Sequence, residues 1–421
     1  MPRTIQGGPY PQTHAPADVI HLGLGQPSPS LLPLQAFADA ATRRLQRETD
    51  PLLLQYGVAA GHAGFREALA RFLSGRLGMP VDAEHLFASP GVSASLAWVS
   101  TTLARPGDAV ACGDPTYFLA HGIFRDAGLR LHGVPVDADG LCVERLEHDL
   151  RAGLRPAFVY CIPSFHNPCA TTLSAARAER LVDLAEAHDF FVVADEPYPL
   201  LHFAERAPPS MMRYDRGRGR VVALGSFSKI LGPGLRLGWA HAEPRVLARL
   251  AEGGILRSGG GWNPLGAAVA EELLRSGFMD QHVDALRDAL RTRGLAIADA
   301  LQRHCPRARF TAPEGGYFVW VDLGRDTAAL LETARDRHGV SFTPGERCHV
   351  QPGASSFVRL SFSFYEPDEL EEGVARLARA AGLDVSEGAA QVGDPRLSAR
   401  AGCEACDGAA RRRPTGAGRR R

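Results

Sequence analysis

In the stretch Ser226-Phe227-Ser228-Lys229-Ile230-Leu231-Gly232-Pro233-Gly234-Leu235-Arg236, one lysine stands behind two serines, with an arginine beyond a Gly-Pro-Gly turn. The run Val221-Val222-Ala223-Leu224 leads into it and reads as a buried strand. An unpaired ammonium leaving a buried strand is costly, so a lysine placed there implies chemistry that uses it. A primary amine in such a position can form a Schiff base with an aldehyde. Hydroxyls, backbone N–H groups and one arginine are what a phosphate site requires. Three more features share this placement. Asp195 ends the run Phe190-Phe191-Val192-Val193-Ala194 and is followed by Glu196-Pro197-Tyr198. Asn167-Pro168 follows the run ending at Ile162, and Tyr117 follows Asp114-Pro115-Thr116.

Those residues meet only if strands carry them to one edge. Strands are predicted at 109–112, 157–162, 190–194, 221–224 and 237–241. Phe65, Leu69, Leu73 and Leu77 recur at helical spacing, and Leu181, Leu184 and Ala185 mark a second helix. This βα rhythm calls for an α/β fold, a mostly parallel sheet sandwiched by helices. In such sheets ligands bind outside the carboxyl ends of the strands, where all of these residues fall. A long helix over 281–303, then strands at 318–321 and 357–362, predict a smaller α+β domain.

Composition narrows the possibilities. The 421 residues fit one large α/β domain with a smaller companion. Forty-five per cent apolar and 22% charged residues predict an ordinary core. The 47 basic and 47 acidic residues cancel, which argues against a nucleic-acid or membrane surface across the chain. Eight cysteines are scattered, several in apolar runs, and read as buried thiols. Cys403 and Cys406 form a CxxC without a second pair, and the 15 histidines show no HxxxH or HExxH spacing, so no metal site is expected. No leader-like segment or bilayer-length apolar run is present, so a cytoplasmic location is expected. Residues 1–20 read as an arm, and 386–421 as a disordered Arg-rich tail too poor in large apolar residues to fold.

Pyridoxal phosphate requires a Schiff-base lysine and a carboxylate for its pyridinium nitrogen, together with a phosphate site and an aromatic face. The sequence offers a candidate for each. With S-x-S-K-x₃-G-L-R-x-G, Asn-Pro, Asp-x-x-Tyr and a late Arg-Leu-Ser, residues 20–383 resemble a fold-type I aminotransferase of class I/II, in the aspartate aminotransferase superfamily. The 2-aminoadipate and kynurenine aminotransferase branch is the nearest in pattern. The resemblance makes Lys229 the Schiff-base and proton-shuttling lysine and Asp195 the partner of the ring nitrogen. It gives Tyr198 and Asn167 the phenolic oxygen, Tyr117 the ring face, and Ser226, Ser228 and Arg236 the phosphate. Arg359 resembles the fork for the substrate α-carboxylate, and Gly25 the segment that closes over substrate. Tyr56 resembles the tyrosine that reaches the phosphate of a partner subunit, which implies a homodimer with shared sites.

The sequence departs from the pattern at two places. Pro90-Gly91-Val92-Ser93 matches the phosphate loop, but Val92 and Ser93 stand where serine and glutamine are common. Backbone N–H groups survive that change, so a weakened contact is expected rather than a lost one. Asn167-Pro168-Cys169-Ala170 replaces Asn-Pro-Thr-Gly. Phe165 and His166, with the N-terminal arm, are expected to read the substrate. Gly259–Pro264 reads as a flexible connector or as a loop entering a neighbouring site.

Taken singly, each residue has a plainer reading: Lys229 as a surface lysine, Asp195 as a loop cap, Arg359 as an edge-strand ion pair, Tyr117 and Tyr56 as packing. Together they favour transfer of an amino group from an L-amino acid to a 2-oxo acid, 2-oxoglutarate being the expected acceptor. The alternative is β- or γ-elimination on the same scaffold, because the cofactor carries the hard step and the pocket selects the bond. An aminotransferase-like regulator is the third reading, for which residues 1–20 are too short to supply a DNA-binding module. The expected division is 21–50 as the start of the small domain, 51–285 as the large cofactor-binding domain and 286–385 as the rest of the small domain.

Overall fold

Runs rich in valine, alanine and phenylalanine build the strands of the computed structural model, which describes residue 16 and residues 18–351 and 353–383. Cys403, Cys406, the Arg-rich tail and most of the N-terminal arm lie outside these residues. The strands are β1 (Ile20–His21), β2 (Leu86–Ser89), β3 (Ala109–Asp114), β4 (Arg130–Asp137), β5 (Gly140–Leu141), β6 (Pro156–Cys161), β7 (Phe191–Asp195), β8 (Val221–Ser226) and β9 (Gly238–Ala242). Strands β2 to β9 form one sheet in the order β2-β9-β8-β7-β6-β3-β4-β5. Pairing is parallel from β8 across to β4, and antiparallel at β9 and β5. The chain leaves β3 toward β4 on one side and returns to β6 on the other. That reversal is a topological switch point, where open sheets leave a crevice.

Side-chain alternation fills both faces of the sheet. Along β6, Phe158 and Tyr160 enter one core while Val159 and Cys161 enter the other. Burial on both sides explains why these strands read as continuous apolar runs. The five predicted large-sheet strands are all present, most within a residue or two of the expected ends. Strand β4 escaped the sequence reading because Gly133 and Pro135 interrupt it and much of it is only half-buried near the sheet edge. The helix Ala63–Leu77 buries Phe65, Leu69 and Leu73, and the helix Ala175–Ala187 buries Leu181, Leu184 and Ala185, as their spacing requires.

Beyond the sheet, β10 (Phe318–Asp322), β11 (Val340–Ser341), β12 (Thr343–Pro344) and β13 (Phe357–Ser361) follow. Strands β10, β13 and β12 form a three-stranded antiparallel sheet, and β11 pairs in parallel with β1. The helix Phe278–His304 runs unbroken through position 285 and packs on the helix Pro367–Ala380. The helix Leu34–Arg47 packs on Pro264–Arg275, so the N-terminal segment touches both parts of the chain. Six cysteines among the described residues are in no disulfide; five are buried and Cys169 is partly so.

Strand β8, which delivers Lys229, is anchored at its start by one buried carboxylate. Asp215 accepts from the backbone N–H of Gly219 (2.9 Å), Arg220 (2.7 Å) and Val221 (3.1 Å). Asp215→Ala strands these donors, and a buried unsatisfied donor costs about 1–3 kcal/mol. The variant is expected to lose about 3 kcal/mol of unfolding free energy, read as a lower urea midpoint at unchanged slope.

Candidate active site

The carboxyl ends of β3, β6, β7 and β8 open on a cavity of about 580 Å³, a volume suited to a small organic ligand. Asp195 is the last residue of β7 and is 4% exposed. Its Oδ2 accepts a 2.8 Å hydrogen bond from the Tyr160 hydroxyl on neighbouring β6, and its buried Oδ1 has no partner among the described residues. Burial pushes its carboxyl up to about 7, against the Tyr160 hydrogen bond and the Lys229 charge.

Lys229 lies in the turn after β8. Its Nζ donates to the Gly25 carbonyl at 2.7 Å and sits 5.2 Å from the centre of the Tyr317 ring. The Tyr317 hydroxyl donates back to the Lys229 carbonyl at 3.0 Å, fixing the turn. Burial pulls the amine down to about 8; the Arg359 charge acts the same way and Asp195 opposes it. A lysine that sheds its proton near neutrality is a competent nucleophile and base.

One end of the cavity is built for an anion. Val92 and Ser93 begin the helix Val92–Leu103, whose N-terminus has no side-chain cap. Backbone N–H groups at a helix start favour negative charge. Ser226, Ser228 and Arg236 also line this end, and the Ser226 hydroxyl accepts from the Ser228 N–H at 3.0 Å. Gly91 has φ +84, and a Cβ there would stand 3.2 Å from the Arg236 guanidinium, so glycine lets helix and arginine close on one spot.

The opposite side holds Arg359 on β13, 5% exposed. Its guanidinium donates to Asn167 Oδ1 (3.1 Å), the Gly23 carbonyl (2.8 Å) and Thr343 Oγ1 (3.1 Å). It lies 4.3 Å from the Phe318 ring centre, and its Nε has no partner. Burial lowers its pKa, and among the described residues no carboxylate pairs with it. A buried, unneutralised guanidinium is a site for a planar anion.

Tyr117, Asn167, Tyr198 and Gly25 line the same cavity. Tyr198 is buried against Tyr317 and Phe318, with ring centres 5.6 and 6.1 Å away. Burial raises the Tyr117 phenol, reinforced by Asp195 and opposed by a hydrogen bond with Ser93. Tyr56 is outside this cavity and 81% exposed. Phe165 and His166 do not line it, contrary to expectation. Phe165 packs on Gly315 and Gly316, and His166 is buried in a small separate hollow. Apolar surroundings hold His166 neutral, pulling it down to about 3. The Gly259–Pro264 loop is pinned to the Tyr56 segment by Gly261 N–H to the Gly57 carbonyl at 2.9 Å. Tyr160, Tyr317, Phe318 and Thr343 were missed in sequence. A tyrosine inside the apolar run of β6 was the one available signal for Tyr160.

The family model for aminotransferase class I and II matches residues 17–377. The chain belongs to the class I and II aminotransferases. It is 32% identical over 371 residues to aromatic-amino-acid aminotransferase 1 of Thermococcus litoralis, covering 86% of this chain and 88% of the relative. It is 33% identical over 363 residues to 2-aminoadipate transaminase of Thermus thermophilus, covering 85% and 88%. The crystal structure of Pyrococcus horikoshii kynurenine aminotransferase, in complex with PMP, superposes with a TM-score of 0.81 at 31% identity, covering 87% of this chain and 91% of that one. The aminotransferase is therefore a pyridoxal-phosphate-dependent enzyme acting on amino and 2-oxo acids; elimination is not the favoured reaction.

The cavity fits that cofactor on two observations of its own: the unpartnered Asp195 Oδ1, and an anion cradle at the Gly91 helix start. Asp195 carries a testable consequence. An ordinary Asp ionises near 3.8 and this one near 7. The cofactor-free native state therefore holds its proton more tightly than the unfolded chain, and stability falls as pH rises through that interval. Asp195→Asn removes this ionisation. Relative to the variant, cofactor-free wild type is expected to lose on the order of 3 kcal/mol between pH 4 and 7 and to level off above, by urea unfolding across pH.

Proposed function

We propose that the enzyme moves the amino group of an L-amino acid to a 2-oxo acid, 2-oxoglutarate in the first instance, in two half-reactions at this cavity. The reading rests on one observation. A half-buried lysine and a buried aspartate with a free oxygen reach the same cavity from adjacent parallel strands. Bound pyridoxal phosphate supplies an electron sink for the pair left when the Cα–H bond breaks. Lys229 would hold the cofactor covalently until the substrate amine displaces it, and the freed Lys229 amine would then take the Cα proton and return it at cofactor carbon C4′. Asp195 keeps the ring nitrogen protonated through Oδ1 while Tyr160 orients it through Oδ2. Tyr198 and Asn167 donate to the phenolic oxygen, Tyr117 covers the ring face, and Arg359 forks the α-carboxylate. Val92 and Ser93 backbone groups, Ser226, Ser228 and Arg236 take the phosphate, and Gly25 belongs to the strap over the substrate.

The working enzyme is proposed to be a homodimer. Leu52, Leu54, Tyr56, Val58 and Ile255 are 67–81% exposed on one chain; an apolar surface of that kind marks an interface. Tyr56 then serves the phosphate of the partner subunit. We further propose that the segment 21–50 and residues 286–385 form a small domain on a large domain of 51–285. A cytoplasmic setting suits six cysteines outside any disulfide among the described residues.

Lys229 is tested directly. Capture of pyridoxal phosphate by cofactor-free enzyme is expected to accelerate as pH rises through about 8, where the amine loses its proton. Borohydride reduction then fixes pyridoxyl at Lys229, and Lys229→Ala abolishes both the label and oxo-acid release from an amino donor. A labelled but different lysine, or bleaching without oxo acid, overturns the assignment.

For the dimer, Tyr56→Phe is expected to weaken retention of the cofactor about tenfold, one hydrogen bond to a charged group being worth about 1.5–3 kcal/mol. Mixed dimers of Tyr56→Phe and Lys229→Ala chains should then hold wild-type affinity at only the sites that pair an intact lysine with an intact tyrosine. A monomer with full activity at high dilution contradicts the shared site.

A further inference from the structure

The charged groups around the cavity do not balance, and the imbalance rests on the transaminase reading above. Among the described residues Asp195 is the only acidic side chain in the lining, against Lys229 and four arginines. Lys229 and Asp195 face the cofactor ring, Arg236 its phosphate, and Arg359 the substrate α-carboxylate. Arg335 and Arg347 remain, both from the stretch between the helix Phe278–His304 and β13. Arg335 is engaged, donating to Asp336 at 2.7 and 3.2 Å. Arg347 is exposed and makes no hydrogen bond or ion pair with any described residue.

His21 lines the cavity too. Its Nδ1 accepts from the Gly23 N–H at 3.1 Å, so in the neutral ring the proton sits on Nε2. Burial lowers its pKa, and the Arg359 and Arg347 charges act in the same direction, which keeps the ring neutral with one fixed donor. A cation without a partner among the described residues and an oriented N–H therefore line the same cavity as Arg359. Phe318, Leu331 and Phe342 add apolar surface to the same lining. An aliphatic chain ending in an acid matches that set of surfaces: a second cation for its carboxylate and apolar side chains for its methylenes.

We infer that Arg347, assisted by His21, reads a side-chain carboxylate, so that the enzyme prefers dicarboxylic amino donors and 2-oxo acids over apolar ones. Arg347 is a specificity residue here and takes no part in proton transfer. Being exposed, its charge is screened, and the discrimination it gives is modest and falls with added salt.

The test compares 2-aminoadipate and glutamate with leucine and phenylalanine as donors to the intact, cofactor-loaded enzyme, scored as kcat/KM of the half-reaction. The ratio of acidic to apolar donors is expected to fall about three- to fivefold in Arg347→Met, mainly through KM. It should fall much less in Arg347→Lys, which restores the charge, and should shrink in wild type between 50 and 500 mM NaCl. Arg347→Met is expected to fold normally, because the side chain holds nothing in place; circular dichroism and cofactor absorbance check this. If wild type prefers apolar donors, or if Arg347→Met leaves the ratio unchanged, the assignment is overturned while transamination stands. If no donor yields oxo acid, the transaminase reading itself falls and takes this one with it.

Discussion

Burial acts on two charges of opposite sign at adjacent strand ends. It lifts the Asp195 carboxyl to about 7 and lowers the Lys229 amine to about 8. Neither group has a full complement of partners: Asp195 Oδ1 is unbonded, and Lys229 donates only to a neutral carbonyl. A protein interior pays for such groups only when a ligand or reaction relieves them. A cofactor whose ring nitrogen is a cation and whose carbonyl takes an amine relieves both. Burying the acid creates the demand for a protonated ring, and burying the amine makes a nucleophile available near neutral pH.

The sheet makes that arrangement rigid. Asp195 and Leu224 are register partners on β7 and β8, so the acid and the turn bearing Lys229 are set by backbone hydrogen bonds and not by flexible loops. Tyr160 comes from β6, next in the sheet, and Tyr117 follows β3, next again. Four neighbouring strands thus deliver four functional groups in spatial order. Gly225 shows how tightly this is packed. A Cβ there would fall 2.0 Å from the Trp239 indole, so the strand leading to Lys229 lies directly on the ring of β9. Any larger residue at 225 would displace the strand that aims the lysine.

Much of this was legible because the strands are buried on both faces, which leaves uninterrupted apolar runs ending in polar residues. Asp195 and Lys229 stood out for that reason. The expected strand at 221–224 extends to Ser226, so the first serine of the motif belongs to the sheet edge itself. Groups that act across the fold were not legible. Tyr160 meets Asp195 over a separation of 35 residues, and Tyr317 reaches Lys229 over 88. Periodicity reports which face a residue occupies but not what lies opposite. Phe165 and His166 misled for the same reason. Their nearness in sequence to Asn167 implied nearness to substrate, whereas a positive φ at Phe165 turns the chain and buries both.

The N-terminal segment ties the two halves of the site together through backbone alone. The Gly23 carbonyl accepts from Arg359 and the Gly25 carbonyl from Lys229, so one short strap spans the cation of the small sheet and the cation of the large one. Both acceptors are neutral, and a carboxylate makes a stronger bond to a guanidinium than a carbonyl does. The strap therefore occupies both cations without satisfying them. Its glycines allow this closeness: a Cβ on Gly23 would meet Thr343 Oγ1 at 2.9 Å, and one on Gly25 would press on Phe318 at 3.0 Å. A chain with side chains at 23 and 25 would stand off from Arg359. That guanidinium, buried among Phe318, Phe118 and Asn167, would then lose one of the few acceptors that make its burial tolerable.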